Sequence, residues 1–179
     1  MALVREVDID ELVAENKRRY DEIYGTYDPW TGEGCYDFEH RELLELPDFM
    51  IPKMWVPKEC MRTLLYRGLK QLGSMKEYII RVWGKEYNEK SYYTKQLKMV
   101  LTFEIMKVRF REDPEFALFA TDKIEDKVTG NMIPFKLNYP QRLLLRIFED
   151  LRTNKKAIRV VILKARQWGG STLTQLYIK

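Results

Sequence analysis

The chain has 179 residues and a formal net charge of +4, a length that suits one domain, or one domain with an appendage, around a real hydrophobic core. Its two cysteines have no motif spacing and its single histidine is His40, so a zinc site is disfavoured and a reduced cytosolic protein is the simpler interpretation. No apolar run reaches the roughly 18 residues of a membrane span, and the N-terminus lacks an apolar signal region.

The charge is distributed unevenly along the chain. Residues 1–50 hold 14 acidic and 5 basic side chains, a balance of −9, whereas residues 51–179 hold 13 acidic and 26 basic ones, a balance of +13. An acidic leader can be solvated, can lie on the basic surface or can dock on a partner. The basic remainder is compatible with binding to double-stranded DNA but does not establish it.

The first 56 residues are predicted to form an acidic helix followed by an irregular arm. The helix begins at Asp10, and Gly25 is a natural stop. Residues 26–57 carry four prolines among six aromatic side chains. Prolines end helices, whereas disordered linkers are poor in aromatic residues. We therefore expect either an extended segment pinned to the body by aromatic anchors or an arm that binds a partner.

Residues 57–122 are predicted to be a helical region. Pro57 suits the first turn of a helix that ends at Gly73. A short capped helix follows over residues 74–84, and another short helix begins at Pro114.

A long helix from about Ser91 to Glu112 lies between these short helices. It has apolar residues on two faces, which predicts a central position in a helical layer, with its methionines as core filler. One face carries Leu97, Leu101, Ile105 and Val108, and the other carries Met99, Phe103, Met106 and Phe110.

The last third of the chain is predicted to contain β structure and two more helices. Residues 123–137 are typical of a β-hairpin whose second strand, with Pro134, lies at an edge. Pro140 opens a helix whose core face is predicted to carry Leu143, Leu144, Ile147, Phe148 and Leu151. The β-branched apolar run 157–163 is typical of a buried strand.

A glycine pair follows this predicted strand and precedes a helix. Strand, tight loop and helix are the context that a phosphate-binding loop requires. Gly169 and Gly170 allow the backbone to approach an anion, and the first N–H groups of the helix point at it. Ser171 stands where such a loop places its magnesium-binding hydroxyl. The alternative is an ordinary turn with Ser171 or Thr172 as helix N-cap.

The loop departs from the common G-x-x-x-x-G-K-[ST] pattern at two positions. Lys164 replaces the first glycine, and Gly170 replaces the lysine that would contact the phosphates. Because a phosphate loop without a cation would bind weakly, Lys164 and Arg166 are the candidates to supply the charge.

The run Lys164–Thr172, KARQWGGST, resembles the variant Walker A loop of phage large terminases, the ATPases that drive DNA into viral capsids. In that family the loop often reads R-Q-x-G-x-[ST], with the phosphate-binding cation moved to its start. The run LNYPQR, residues 137–142, resembles the family's adenine-binding segment, in which a glutamine reads the adenine edge. The resemblance covers roughly residues 120–179.

The resemblance implies an α/β P-loop NTPase fragment with a mostly helical N-terminal region, a β-hairpin, one P-loop strand and the start of its helix. It implies ATP and Mg²⁺ as cofactors, with Ser171 reaching the metal. Implied partners are double-stranded DNA, a portal protein, a small terminase subunit and, in the full-length form, further copies in a motor ring in the bacterial host cytoplasm. The implied nucleotide-binding residues are Tyr139, Gln141, Lys164, Arg166, Gln167, Gly169, Gly170, Ser171 and Thr172.

These observations predict three segments: an acidic helix and arm over 1–56, a helical region over 57–122 and the start of the ATPase domain over 123–179. The sequence stops inside the helix after Thr172, so we expect it to lack the acidic Walker B strand and the nuclease residues, and to turn over little or no ATP alone. The alternative function is a non-catalytic helical module that docks on a portal or small terminase subunit. A third possible function is that of a helicase-like P-loop ATPase, but the Arg-Gln pair and the missing lysine disfavour it.

Overall fold

The computed structural model describes residues 8–24, 27–34, 40–126, 129–163 and 169–178. The chain divides into two compact units, one formed by Tyr27–Lys136 and the other by Met1–Thr26 together with Leu137–Lys179. Among the described residues, none of the helices combines the length and the apolar character needed to span a lipid bilayer. The elements in chain order are α1 (Ile9–Tyr24), β1 (Arg41–Glu45), β2 (Lys53–Pro57), α2 (Lys58–Met61), α3 (Leu64–Leu72), α4 (Met75–Arg81), α5 (Tyr92–Glu112), α6 (Pro114–Thr121), β3 (Lys123–Glu125), β4 (Met132–Pro134), α7 (Tyr139–Thr153) and α8 (Gly170–Ile178).

The prediction that residues 26–57 are irregular is wrong for their second half. Strands β1 and β2 form an antiparallel hairpin in which Arg41 pairs with Pro57 and Glu45 with Lys53. Of the prolines that argued against regular structure, Pro47 and Pro52 lie in the connection and Pro57 at a strand end, where a missing N–H costs no ladder hydrogen bond. The buried side chains alternate along β2, with Met54 and Val56 turned into the core.

The helix predicted from Pro57 to Gly73 is two helices in the structure. Pro57 ends β2 and precedes the single turn of α2. The chain then becomes extended at Thr63, whose hydroxyl accepts a hydrogen bond from the backbone N–H of Tyr66 and so caps α3. Gly73 ends α3 in the left-handed conformation (φ 65°), as the sequence predicted.

The core of the 27–136 unit lies between the β1–β2 hairpin and helices α2 to α5. One face of α5 supplies Leu101 and Ile105 to it. The prediction that α5 is buried on two faces is wrong, because Met99 and Phe103 of its second stripe are exposed. Met106 of the same stripe is half-buried and packs against the core. The most deeply buried apolar side chains are Leu44, Leu46, Met54, Val56, Cys60, Tyr66, Leu69, Met75, Ile79, Leu101, Ile105 and Phe116.

Two arginines and an aspartate form a buried ion-pair network in this unit. The Arg41 guanidinium donates two hydrogen bonds to the Asp113 carboxylate, at 2.9 and 3.1 Å. Arg109 Nε lies 3.4 Å from the same carboxylate. Glu115 accepts hydrogen bonds from Arg41 at 3.0 Å and from the Tyr27 hydroxyl at 2.5 Å. Burial raises the pKa of Tyr27, so its hydroxyl stays protonated and can donate.

A second carboxylate, that of Asp48, covers the N-terminus of α4 from the β1–β2 connection. Its oxygens accept hydrogen bonds from the backbone N–H groups of Met75 and Lys76, each at 2.9 Å, and from the Ser74 hydroxyl at 3.0 Å. Burial alone would raise the pKa of Asp48, but these three donors favour the ionised form and the pKa is lowered. The ionised carboxylate therefore stabilises both the helix start and the connection.

We expect Asp48→Ala to lower the free energy of unfolding by about 1–2 kcal/mol near neutral pH, as for loss of a helix cap. Because the pKa of folded Asp48 lies below the unfolded value of about 3.9, this stabilisation is complete above that value and is lost as the pH falls through the folded pKa. Urea unfolding at neutral and acidic pH measures the difference. If the difference in unfolding free energy between the parent chain and Asp48→Ala did not shrink in acid, the role of the ionised Asp48 carboxylate as a helix cap would be contradicted.

The other unit contains helices α1, α7 and α8, and its described core is formed by α7 and α8. Leu144, Leu145 and Phe148 are buried on α7, and Leu173 is fully buried on α8. Leu143 and Ile147, which are predicted on the core face of α7, are instead 45% and 47% exposed. The apolar side of this helix is therefore rotated slightly from the predicted one.

Residues 157–163 do not form the predicted strand in this structure. The run has no regular secondary structure, and the side chains of Val161 and Leu163 are 91% and 96% exposed. The strands of the described residues pair only within the two hairpins β1–β2 and β3–β4. A parallel strand is held by hydrogen bonds to neighbouring strands, so this apolar run lacks within the described chain the partners that would order it.

Candidate functional site

The N-terminus of α7 is fixed by a reciprocal capping box. The Asn138 side chain accepts a hydrogen bond from the backbone N–H of Gln141 at 3.0 Å, and Gln141 Oε1 accepts one from the backbone N–H of Asn138 at 2.9 Å. Pro140 occupies the first turn, where its missing N–H is not needed. The Gln141 side chain is thereby buried and held in one orientation.

The other end of the Gln141 amide contacts the predicted phosphate loop. Its Nε2 donates a hydrogen bond of 3.0 Å to the carbonyl oxygen of Gly169, which lies 28 residues later in the sequence. Gly169 has a φ of +78°, and a Cβ at this position would lie only 2.6 Å from Gln141 Nε2. Glycine is thus required at position 169 both by backbone conformation and by the close approach of the glutamine.

The loop leads directly into α8, which begins at Gly170. Gly170 is buried, whereas Ser171 and Thr172 in the first turn are exposed. The first backbone N–H groups of a helix have no intrahelical acceptor and favour an anion. The start of α8 therefore presents both backbone N–H donors and the exposed hydroxyls of Ser171 and Thr172.

Helix α8 is held on α7 along its length. The rings of Phe148 and Tyr177 lie 5.1 Å apart, and the Tyr177 hydroxyl donates a hydrogen bond of 2.7 Å to Glu149. Burial and this hydrogen bond raise the pKa of Tyr177. Together with the buried Leu173, these contacts fix the direction in which the start of α8 points.

A cleft of about 310 Å³ opens beside the start of α8. It is lined by Gly170, Ser171, Thr174 and Gln175 of α8 and by Ile162 of the preceding segment. The Thr174 hydroxyl donates to the carbonyl of Gly170 at 2.9 Å, which orders the first turn. The lining combines two hydroxyls, an amide and one apolar side chain, so it can accept a ligand with both polar and apolar parts.

The structure brings together some of the predicted site residues. Gln141 contacts Gly169 directly, Gly170 and Ser171 line the cleft, and Thr172 lies in the same helical turn. Tyr139 is half-buried and is the first residue of α7. The predicted loop residues Lys164, Arg166 and Gln167 lie outside the described residues.

Sequence reasoning missed two supporting interactions of this site. Asn138 orders Gln141 through the capping box, and the N-x-x-Q spacing before an apolar run was the signal for it. Glu149 holds Tyr177 of α8, but no local pattern links two residues on different helices. Among the described residues, no group of three or more His, Cys, Asp or Glu side chains is arranged to hold a metal.

No protein-family model matches the chain, and neither the curated proteins nor the solved structures contain a significant match. The candidate site is therefore defined by the contacts among α7, Gly169 and α8.

Proposed function

We propose that the chain supplies the ATP-binding elements of a viral DNA-packaging motor, a terminase large subunit that moves double-stranded DNA into a capsid in the cytoplasm of a bacterial host. The observation that carries this proposal is the hydrogen bond between Gln141 and Gly169. The two segments that resemble the family's adenine and phosphate motifs are separated in sequence, and this contact joins them through a buried side chain and a glycine that admits no Cβ.

In this proposal the triphosphate lies at the start of α8. The loop backbone and the first N–H groups of the helix bind the phosphate oxygens. Arg166 supplies the main positive charge, because its guanidinium can contact two oxygens at once, and Lys164 supplies a second, compact charge. Mg²⁺ is bound by phosphate oxygens, water and the Ser171 hydroxyl, an oxygen ligand set that suits this ion. The exposure of Ser171 is compatible with that role.

Gln141 has a double role in the proposed site. Each polar atom of its side-chain amide already makes one hydrogen bond, to Asn138 or to Gly169. A glutamine amide offers two acceptor and two donor positions, so one of each stays open for the edge of an adenine ring. Gln141 therefore has two roles: its existing hydrogen bonds position the loop, and its open donor and acceptor positions discriminate the base.

We expect the chain to bind ATP in the presence of Mg²⁺, and Arg166→Ala to weaken this binding roughly tenfold to a hundredfold. The basis is the loss of charge-assisted hydrogen bonds worth about 1.5–3 kcal/mol. Lys164→Ala should have the same direction and a smaller effect, because a lysine contacts the phosphates at a single point. Isothermal titration calorimetry with ATP, and with inorganic triphosphate as a base-free probe, measures both.

The matched control is Lys156→Ala, which removes an exposed positive charge upstream of the loop and leaves the loop residues unchanged. Equal losses in Lys156→Ala and Arg166→Ala would indicate only a general electrostatic effect. Absence of ATP binding, or binding that neither Lys164→Ala nor Arg166→Ala weakens, would refute the phosphate-loop assignment.

A further inference from the structure

The exposed face of α5 carries an apolar seam that one polar position, Gln96, interrupts. Tyr92, Met99, Phe103 and Phe110 lie on it. Met106, between the last two, is half-buried and also packs against the core, and one side of the Phe110 ring contacts Phe116. The apolar residues of the seam follow one another at intervals of three, four or seven residues, the spacing by which a helix presents one side to a partner helix. Gln96 occupies the position that completes the repeat. We call these six residues the α5 seam: Tyr92, Gln96, Met99, Phe103, Met106 and Phe110. It extends about 27 Å along the helix at 1.5 Å per residue.

The opposite face of the same helix is fully occupied. Leu101 and Ile105 are completely buried in the core, and Thr94 and Arg109 are buried near the two ends. Tyr66 also donates a hydrogen bond of 2.9 Å to the backbone carbonyl of Ile105. The helix is therefore anchored along its inner side, so it cannot rotate to bury the seam.

The seam is unusually exposed for large apolar side chains. Met99 and Phe103 are 68% and 65% exposed, and Tyr92 is 76% exposed. Scattered exposed apolar residues are common, but a contiguous exposed patch marks an interaction surface. The regular spacing indicates that the partner is a helix, since a helix places its own apolar stripe against such a seam.

The charges beside the seam decide between the possible partners. Lys95 and Lys107 are exposed and flank the seam on its two sides, at the positions that face a partner helix. A second copy of α5 has no acidic residue at its own flanking positions and so offers these lysines no opposite charge. A helix with acidic flanks would place carboxylates opposite these lysines and is attracted instead.

We propose that the α5 seam is the docking site for an acidic amphipathic helix of a partner protein. The partner's apolar stripe packs against Met99, Phe103 and Phe110, and its Glu or Asp side chains face Lys95 and Lys107. This interaction surface belongs to the 27–136 unit, and its assignment does not rest on the proposed nucleotide site, so failure of either assignment leaves the other intact.

The test uses the full chain and two designed helical peptides of about three heptads with identical apolar positions. One peptide carries Glu at the flanking positions and the other carries Lys. Fluorescence anisotropy should show the Glu peptide binding about tenfold or more tightly than the Lys peptide, with the difference reduced by salt. Met99→Ser and Phe103→Ser should each weaken binding of the Glu peptide by about tenfold.

The matched control is Met50→Ser, because Met50 is 66% exposed, close to the value for Met99, and lies on the β1–β2 connection. It should bind the Glu peptide like the parent chain, and circular dichroism should show all variants folded. Any one of four results would overturn the proposal: no binding of the Glu peptide, equal binding of both peptides, insensitivity to Met99→Ser and Phe103→Ser, or tighter binding to anionic vesicles. Dimerisation that sedimentation detects and Met99→Ser abolishes would also overturn it, because the occupant would then be a second copy.

Discussion

Replacing Asp113 with alanine should lower the free energy of unfolding of the 27–136 unit by about 3–5 kcal/mol, the cost of removing one partner from a buried ion pair. Asp113 accepts hydrogen bonds from Arg41 and Arg109, and its side chain is only 1% exposed. It also accepts from the backbone N–H of Phe116 and so caps α6. Urea denaturation monitored by circular dichroism measures the loss.

The control is Glu45→Ala, which removes an ion pair of the same type at the surface. Glu45 lies 3.1 Å from Lys53, and both side chains are more than half exposed. Such pairs contribute about 0–1 kcal/mol. If Asp113→Ala were no more destabilising than Glu45→Ala, the network would not stabilise the fold, and the two arginines would have to find other partners in the variant.

The second large effect is expected for Gly169→Ala, which should weaken ATP binding by roughly tenfold to a hundredfold. An alanine at a φ of +78° is strained by about 1–2 kcal/mol. Its Cβ would also lie 2.6 Å from Gln141 Nε2 and would displace the hydrogen bond to the loop. Calorimetry with ATP and hydrogen exchange of the α8 amides measure the effects on binding and on local stability.

Two further variants separate the backbone strain from the clash. Gly130 has a φ of +70°, and a Cβ added to it would meet no atom within 4 Å, so Gly130→Ala reports the strain alone. In a Gln141→Ala background the clash is absent, and Gly169→Ala should then cost only the same strain. Additive effects of Gly169→Ala and Gln141→Ala would show that the two residues are not coupled and would contradict the bridging role of Gln141.

The helices could be predicted from the sequence wherever a cap and an apolar repeat coincide. Ser74 caps α4, Pro114 begins α6, and the β3–β4 hairpin lies within the predicted range 123–137. Ser91 precedes α5, but its side chain makes no cap hydrogen bond. These features depend on residues close together in the chain. The part of the candidate site where α8 begins could be predicted for the same reason, since Gly169 and Ser171 belong to one local sequence pattern.

Features that depend on distant residues could not be predicted. The β1–β2 hairpin is not predictable from its own residues, because its prolines argue against a strand unless they fall outside the paired positions or at a strand end, which only the fold determines. The run 157–163 has strand-like composition, but composition cannot supply a neighbouring strand. The two apolar stripes of α5 were equivalent in sequence, and only the packing of the rest of the core decides which of them is buried. The contact from Gln141 to Gly169 likewise depends on how α8 lies against α7.

The ion-pair network has a consequence for the order in which the chain folds during synthesis. Arg41 bonds to Asp113, 72 residues later, and Tyr27 bonds to Glu115, 88 residues later. While the ribosome is still adding α5, both early residues must therefore stay in water or with temporary partners. Closing so long a loop has an entropic cost that is recovered only when the native contacts form. We expect the 27–136 unit to become resistant to protease in a single late step, after α6 has left the exit tunnel, and not gradually as each helix emerges.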